Sequence, residues 1–169
     1  MPLSEYTIDP DLDLVLEREV AVPKEKVWEA WTTPEILMQW FCPLPWKTVE
    51  CEIDLKPGGL FRTVMESPEG QRMDAGNGCY LEVINNEKLV WTSAMEADYR
   101  PAPASEDNPT GFFTAIIMLE STDTGTRYSV IARHSSAAHA EAHQQMGFEG
   151  GWGTALEQMV SLIKTGSIT

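Results

Sequence analysis

The sequence predicts one α+β domain, a curved antiparallel sheet of about six or seven strands wrapped around a long C-terminal helix. Apolar residues recur at every second position in several segments between residues 12 and 134, which is typical of half-buried strands. Two short helical segments follow only the first strand, and the last segment has helical periodicity. Since 169 residues suffice for one core, we expect residues 12–169 to form a single domain and residues 1–11 a flexible N-terminal arm.

The last segment, 146–164, predicts the helix that closes the sheet. Its apolar stripe consists of Trp152, Leu156, Met159, Val160 and Ile163. Gly166 is a typical helix stop. The first half is rich in glycine, at Gly147, Gly150, Gly151 and Gly153. Each glycine inside a helix costs roughly 1 kcal/mol relative to alanine, so we expect this thin end to leave a space between helix and sheet.

The first strand, Leu12–Val22, alternates between an apolar and an acidic face, and Arg18 interrupts the apolar face. Two interpretations remain open for Arg18. Its guanidinium reaches water at the edge of the core, or it lies inside a cavity and pairs with Glu82 or another strand carboxylate.

The remaining elements follow in order. Pro23 and Thr33-Pro34 are typical helix starts and predict the two short helices. The alternating segments predict strands at 49–55, 60–65, 73–84, 88–94, 112–120 and 126–134. Gly76 and Gly78 within the long third segment indicate a bulge.

Composition excludes several classes of partner. Twelve basic and 26 acidic residues give a net charge of −14, which repels phosphate backbones and anionic lipid, so we expect neither nucleic-acid nor membrane binding. Three cysteines without C-x-x-C spacing fit a reducing compartment. No signal peptide and no 18-residue apolar run is evident, and we therefore expect a cytoplasmic protein.

Motifs for chemistry are sparse. His139 and His143 have the i, i+4 spacing of two metal ligands, but no third ligand is evident, so we expect a solvent-facing helix start and no metal site. Gly76-Asn77-Gly78 opens no helix, which argues against a phosphate loop, and no cofactor is expected. Ser135 and Ser136 follow His134 directly in the sequence, but adjacent strand residues point to opposite faces, so we do not expect a nucleophile–base pair there. His134 ends a strand and is a candidate ligand contact or general base.

Five segments resemble motifs of a known family. They lie at Pro23–Glu35, Leu55–Arg62, Gly78–Thr92, Gly125–Arg127 and Met146–Trp152. Together they resemble the SRPBCC superfamily, which includes the START, birch-pollen-allergen and polyketide-cyclase folds, and most of all the group named after the activator of the heat-shock-90 ATPase. The resemblance covers residues 12 to 164. It implies a helix-grip fold with a deep ligand cavity, and often a homodimer.

The sequence also departs from that group. The eukaryotic namesake has a second, N-terminal chaperone-binding domain without a counterpart here, so we do not expect stimulation of a chaperone ATPase. The loop 99–111 looks longer than is usual for the family, and we interpret it as a lid over the cavity mouth.

Three functional hypotheses follow. The first is a protein that binds a hydrophobic small molecule beneath the glycine-rich turn. Its predicted ligand-binding residues are Arg18, Trp40, Phe41, Trp46, Phe61, Met73, Tyr80, Trp91, Phe113, Met118, His134, Met146, Trp152 and Met159. The second is a cyclase-like or hydratase-like enzyme with an acid–base residue in the cavity, although no catalytic residue is assigned. The third is a module that binds a chaperone or another protein.

Overall fold

The computed structural model describes residues 3–104 and 108–169, and it confirms the predicted α+β architecture. Within these residues the helices are α1 (Lys24–Thr32), α2 (Pro34–Trp40), α3 (Ala137–Gln145) and α4 (Phe148–Thr165). The strands are β1 (Asp13–Val20), β2 (Lys47–Ile53), β3 (Leu60–Glu66), β4 (Arg72–Ile84), β5 (Lys88–Thr92), β6 (Met95–Glu96), β7 (Arg100–Pro101), β8 (Phe113–Thr122) and β9 (Gly125–His134).

Seven of these strands form one antiparallel sheet in the order β1-β9-β8-β5-β4-β3-β2. The first strand therefore pairs with the last, as the need to cover its edge predicts. Side chains alternate along each strand between an inner face, which packs against α1, α2 and α4, and an outer face. The inner face carries the main core.

The outer face has a smaller apolar cluster, formed by Val90, Ile116, Met118 and Ile131. Leu3 and Tyr6 of the N-terminal segment pack against it. The Tyr6 ring also lies 4.8 Å from the Lys88 ammonium, measured to the ring centroid. The segment thus contacts the domain, and the division at residue 11 stays a prediction.

The bulge in β4 lies where the glycines predict it. Two β4 residues, 75 and 76, oppose the single residue Thr63 between the pairs Arg62–Asn77 and Val64–Asp74. Gly76 has φ +87°, a conformation that favours glycine. At Gly78 a Cβ would lie 2.7 Å from the Phe61 carbonyl oxygen, so only glycine allows β3 to approach this closely.

Two elements differ from the sequence prediction. Helix α3 is a separate helix capped by the Ser136 hydroxyl, which accepts a hydrogen bond from the His139 amide. It buries only Ala140 and therefore lacks an apolar period that the sequence could reveal. Strands β6 and β7 form a small ladder at the start of the predicted lid loop. Residues 105–107 of that loop lie outside the described residues, so the lid stays a prediction.

Helix α4 packs the predicted stripe against the inner face, with Leu156 and Met159 buried and Trp152, Val160 and Ile163 half-buried. The buried Gln158 side chain fixes its position, because its amide nitrogen donates to the carbonyls of Trp40 and Cys42 and its oxygen accepts from the Leu44 amide at 3.0 Å. The first half of α4 then lies beside β1, and its Trp152 ring reaches inward to 6.4 Å from the Trp91 ring of β5. In the described part of the chain, no helix is long and apolar enough to cross a bilayer.

Candidate ligand-binding site

Nine aromatic side chains meet between the inner face and the helices, and we call them the aromatic cluster. The sheet contributes Phe61, Tyr80, Trp91 and Phe113, and the helices with their flanking residues contribute Trp31, Trp40, Phe41, Phe148 and Trp152. Neighbouring ring centroids lie 4.9 to 6.5 Å apart, within the range of favourable aromatic pairs. The arrangement follows from the alternation of the strands, which sends every second residue inward.

The cluster contains two buried donors without an acceptor. The hydroxyl of Tyr80 and the Nε1–H of Trp91 have no hydrogen-bond partner among the described residues. Tyr80 is fully buried and Trp91 is 7% exposed. In contrast, the Trp31 indole donates to the Tyr128 hydroxyl at 3.1 Å, and the Trp40 indole donates to the Ala30 carbonyl at 3.0 Å. Since buried polar groups are nearly always paired, each of these two donors requires an acceptor that the described backbone and side chains do not supply.

Electrostatics keeps this interior neutral. Burial raises the pKa of the Tyr80 hydroxyl, with the nearby Cys51 thiol as a smaller cause, so the hydroxyl stays protonated and can donate. Burial also raises the pKa of Cys51 to about 11. A thiolate is therefore not available there at neutral pH.

Two of the rings are nearly parallel. The planes of Trp91 and Trp152 differ by 11°, and their centroids are 6.4 Å apart. Trp152 is half-buried and follows Gly150 and Gly151, and Gly153 comes directly after it. A Cβ added to any of these three glycines would meet nothing within 4 Å.

A pair of histidines borders the cluster. The Nδ1 of His134 lies 3.0 Å from the Leu12 carbonyl oxygen, which can only accept, so this nitrogen carries a proton. In the neutral ring the Nε2 of His134 must then accept from Nδ1–H of His143, 2.8 Å away. The His143 ring packs on Phe113 and Phe148. Burial, together with the nearby His134, lowers the pKa of His143 to about 4.

A cavity of about 500 Å³ lies beside this pair. Phe113, Thr114, His134, Ser135 and His139 contribute to its wall. It lies between the ends of β8 and β9 and the start of α3, and not beneath the glycine-rich turn where the sequence led us to expect a space. There the aromatic cluster occupies the interior.

Nine of the predicted ligand-binding residues come together. Seven belong to the aromatic cluster: Trp40, Phe41, Phe61, Tyr80, Trp91, Phe113 and Trp152. His134 stacks on Phe113 with ring centroids 5.7 Å apart, and Met159 is fully buried in the same core.

The structure corrects the placement of the other five. The Arg18 guanidinium lies at the water-exposed edge, where it pairs with Glu149 of α4 at 3.1 Å and not with Glu82. Glu82 pairs with Lys88 instead. Met118 faces the outer side of the sheet, because Ile117 and Leu119 take the inner positions.

The remaining corrections concern residues near the ends of elements. Met73 is 55% exposed because it lies in the part of β4 before the bulge, beyond the core. Met146 is 67% exposed because it ends α3 and precedes the left-handed Gly147. Trp46 is half-buried in the turn before β2 and makes none of the ring contacts of the cluster in the described chain.

Sequence reasoning missed three members of the site: Trp31, Phe148 and His143. Phe148 lies four residues before Trp152 on the same helical stripe, a spacing that could have identified it. His143 had no such signal, because its contact with His134 arises only when α3 folds back on β9. The prediction that His139 and His143 face solvent is wrong for His143, which packs on Phe113 and Phe148, whereas Nδ1 of His139 lies 3.3 Å from the Ser135 hydroxyl oxygen. Among the described residues, no group of three His, Cys, Asp or Glu could hold a metal ion.

The family described as activator of Hsp90 ATPase homolog 1-like protein matches residues 21–164. A crystal structure of a protein from Nitrosomonas europaea is 45% identical, with a TM-score of 0.87 over 94% of this chain and 98% of that chain.

Two solution structures at lower identity share the fold. One, of a protein from Arthrobacter aurescens, is 21% identical with a TM-score of 0.78, over 94% of this chain and 90% of that chain. The other, of the AHSA1-like protein from Aeromonas hydrophila, is 21% identical with a TM-score of 0.67, over 94% and 96%. No curated protein matches. Because the family match spans well over half of the sequence, the chain belongs to the activator of Hsp90 ATPase homolog 1-like family of the SRPBCC superfamily.

Proposed function

We propose that the protein binds a small, largely apolar molecule between the sheet and the first half of α4. One observation carries the proposal, namely the two unpaired donors of Tyr80 and Trp91 inside the aromatic cluster. An unsatisfied buried donor costs about 1–3 kcal/mol. A bound molecule with an acceptor atom recovers part of that free energy in the complex.

The first half of α4 provides the route to this place. Trp152 is the half-buried member of the cluster on this helix, and the glycines beside it leave open space. Gly151 and Gly153 are half-buried and flank the apolar stripe, whereas Gly150 is exposed on the opposite side. A helix segment without side chains can yield to a ligand with little repacking.

Native mass spectrometry of protein purified from its own host tests the proposal. We expect a mass above that of the 18.9 kDa chain, and we expect collisional activation to release the difference as a small molecule. The Y80F variant removes one donor and keeps the ring, so it should retain less of that molecule. Recovery of only the bare chain from the host, together with failure of the aromatic probes described below to bind, would contradict the proposal.

A second candidate is an enzyme that moves a proton on a bound ketone, and the His134–His143 hydrogen bond favours it. If His143 carries Nδ1–H, its Nε2 has a free lone pair beside Phe113 and Phe148. Because the pKa of His143 is lowered to about 4, this nitrogen is unprotonated at neutral pH, and it would act as a weak base that takes a proton from the carbon next to the carbonyl, leaving the electron pair in an enolate. The same imidazolium would return the proton, so no further reactant is needed.

Exchange of the methyl protons of 2-acetylnaphthalene in D2O tests this candidate by proton NMR. We expect the protein to accelerate deuterium incorporation, and the H143Q variant to lose the acceleration while it still binds the ketone. Equal exchange with both proteins excludes His143 as the base. The third hypothesis, a chaperone partner, stays a hypothesis that pull-down with the cognate chaperone would test. The homodimer that the resemblance implies stays a prediction that native mass spectrometry would test.

A further inference from the structure

Building on the proposed binding function, we infer that the ligand is a flat, conjugated, uncharged molecule with a hydrogen-bond acceptor at its edge, held between the indoles of Trp91 and Trp152. Two features of the cluster specify this class: the nearly parallel orientation of these two rings, and the two unpaired donors, one of which is the Trp91 indole itself and the other the hydroxyl of Tyr80 on the neighbouring strand. Each feature restricts a different property of the ligand.

The parallel rings select for shape. Trp31 is inclined by 43° to Trp91 and by 33° to Trp152, whereas Trp91 and Trp152 differ by only 11°. A flat ring inserted between two parallel rings requires a separation of about 7 Å, twice the contact distance of carbon atoms. The planes of Trp91 and Trp152 are at most 6.4 Å apart. One aromatic layer therefore requires an opening of at least about 0.6 Å, and a larger one where the two rings are offset.

The local structure allows this opening. Trp91 belongs to the central strand β5, which is paired on both sides by β4 and β8 and is held in place. Trp152 belongs to the glycine-rich start of α4, where the neighbouring glycines contact nothing at their Cβ positions. We therefore expect Trp152 to be the wall that moves.

The donors select for an acceptor and against charge. An indole N–H can only donate, and the Tyr80 hydroxyl stays protonated, so both groups require an acceptor such as a carbonyl or ether oxygen. The cluster consists of neutral aromatic side chains, and the Arg18 guanidinium, at the water-exposed edge of β1, is already paired with Glu149. A carboxylate would lose its hydration without gaining a counter-ion.

Four matched probes test the inference by isothermal titration calorimetry. 2-Acetylnaphthalene is flat and carries an acceptor, its decahydro analogue has the same skeleton without the aromatic faces, naphthalene lacks the acceptor, and 2-naphthoate is anionic. We expect 2-acetylnaphthalene to bind roughly tenfold more tightly than the saturated ketone. We expect roughly a fivefold advantage over naphthalene and at least a tenfold advantage over 2-naphthoate.

Variants assign the effect to the two walls. W152L removes the mobile wall and should weaken 2-acetylnaphthalene roughly tenfold, whereas W46L removes an indole outside the cluster and should leave the affinity unchanged. W91F keeps a ring but removes the donor. It should reduce the preference for the ketone over naphthalene to about twofold or less.

The outcomes separate this inference from the proposed function. If the saturated ketone binds as tightly as 2-acetylnaphthalene, or W152L binds like W46L, the flat site is wrong while the binding function stands. If none of the four probes binds and protein from its own host carries no small molecule, the binding function and this inference are both wrong.

Discussion

The glycines in the N-terminal half of α4 allow a quantitative test of how much they lower the stability of this helix. Replacing Gly151 and Gly153 by alanine adds two methyl groups at positions where the structure leaves more than 4 Å of free space. Neither residue has positive φ, so alanine fits the backbone without strain. Alanine also restricts the unfolded chain, and each substitution should raise the free energy of unfolding by about 0.5–1 kcal/mol.

The double variant should therefore be more stable by about 1–2 kcal/mol. For a chain of this length, 1 kcal/mol corresponds to a rise in melting temperature of about 2–4 °C, so we expect a rise of roughly 2–8 °C. Differential scanning calorimetry measures the melting temperature, and urea unfolding followed by tryptophan fluorescence gives the free energy independently.

Two controls distinguish free space from general helix propensity. G150A lies on the exposed side of α4 and should give the same stabilisation per residue. G78A should destabilise, because its Cβ would lie 2.7 Å from a backbone oxygen. Only the 151/153 pair should weaken binding of 2-acetylnaphthalene, since G150A leaves the flanks of the stripe unchanged. A loss of stability in G151A or G153A would refute the reasoning, because it would mean that the space is already filled.

Three further predictions concern other contacts. Folding lowers the pKa of His143 from 6.5 to about 4, because the folded state favours the neutral ring. The resulting contribution to the free energy of unfolding is complete above about pH 6.5 and is lost as the pH falls toward about 4. Urea unfolding at pH 7.5 and at pH 5 should show that the free energy of unfolding falls by about 1 kcal/mol, less than the full linkage value because His143 is partly exposed, and that the H143Q variant lacks this fall. Equal pH dependence in both proteins would contradict this role of His143. Q158L should cost about 2–4 kcal/mol in urea unfolding, because it leaves two carbonyls and the Leu44 amide unpaired; a variant of near-normal stability would show that water replaces the amide. E149Q should change the free energy of unfolding by less than about 0.5 kcal/mol, because the side chains of Arg18 and Glu149 are 46% and 77% exposed; a larger loss would show that the pair holds α4 on β1.

The family assignment limits what can be carried over from relatives. The Nitrosomonas europaea protein shares nearly half of its residues with this chain, and the others share the fold at about one residue in five. A fold of this kind supports many functions. The argument for binding therefore depends on the particular side chains of this cluster, above all Tyr80, Trp91 and Trp152.

The sequence determined the main architecture, because local periodicity is sufficient for every element except α3 and the short β6–β7 ladder. Alternation predicted β1 and the meander, Pro23 and Thr33-Pro34 predicted α1 and α2, and the stripe from Trp152 to Ile163 predicted α4. The bulge at Gly76 was also predictable, since a glycine inside a strand has few other uses. Most of the aromatic cluster followed as well, because inward positions on strands and apolar positions on helices can both be counted.

Only the tertiary structure decided which polar groups meet. The contact of His134 with His143, the pairing of Arg18 with Glu149, and the absence of a partner for Tyr80 and Trp91 within the described chain all depend on elements distant in sequence. Periodicity assigns a residue to a face, but the partner of a side chain depends on how far and at what angle another element approaches that face. A shift of 1 Å is enough to make or break a hydrogen bond, and no local pattern encodes it.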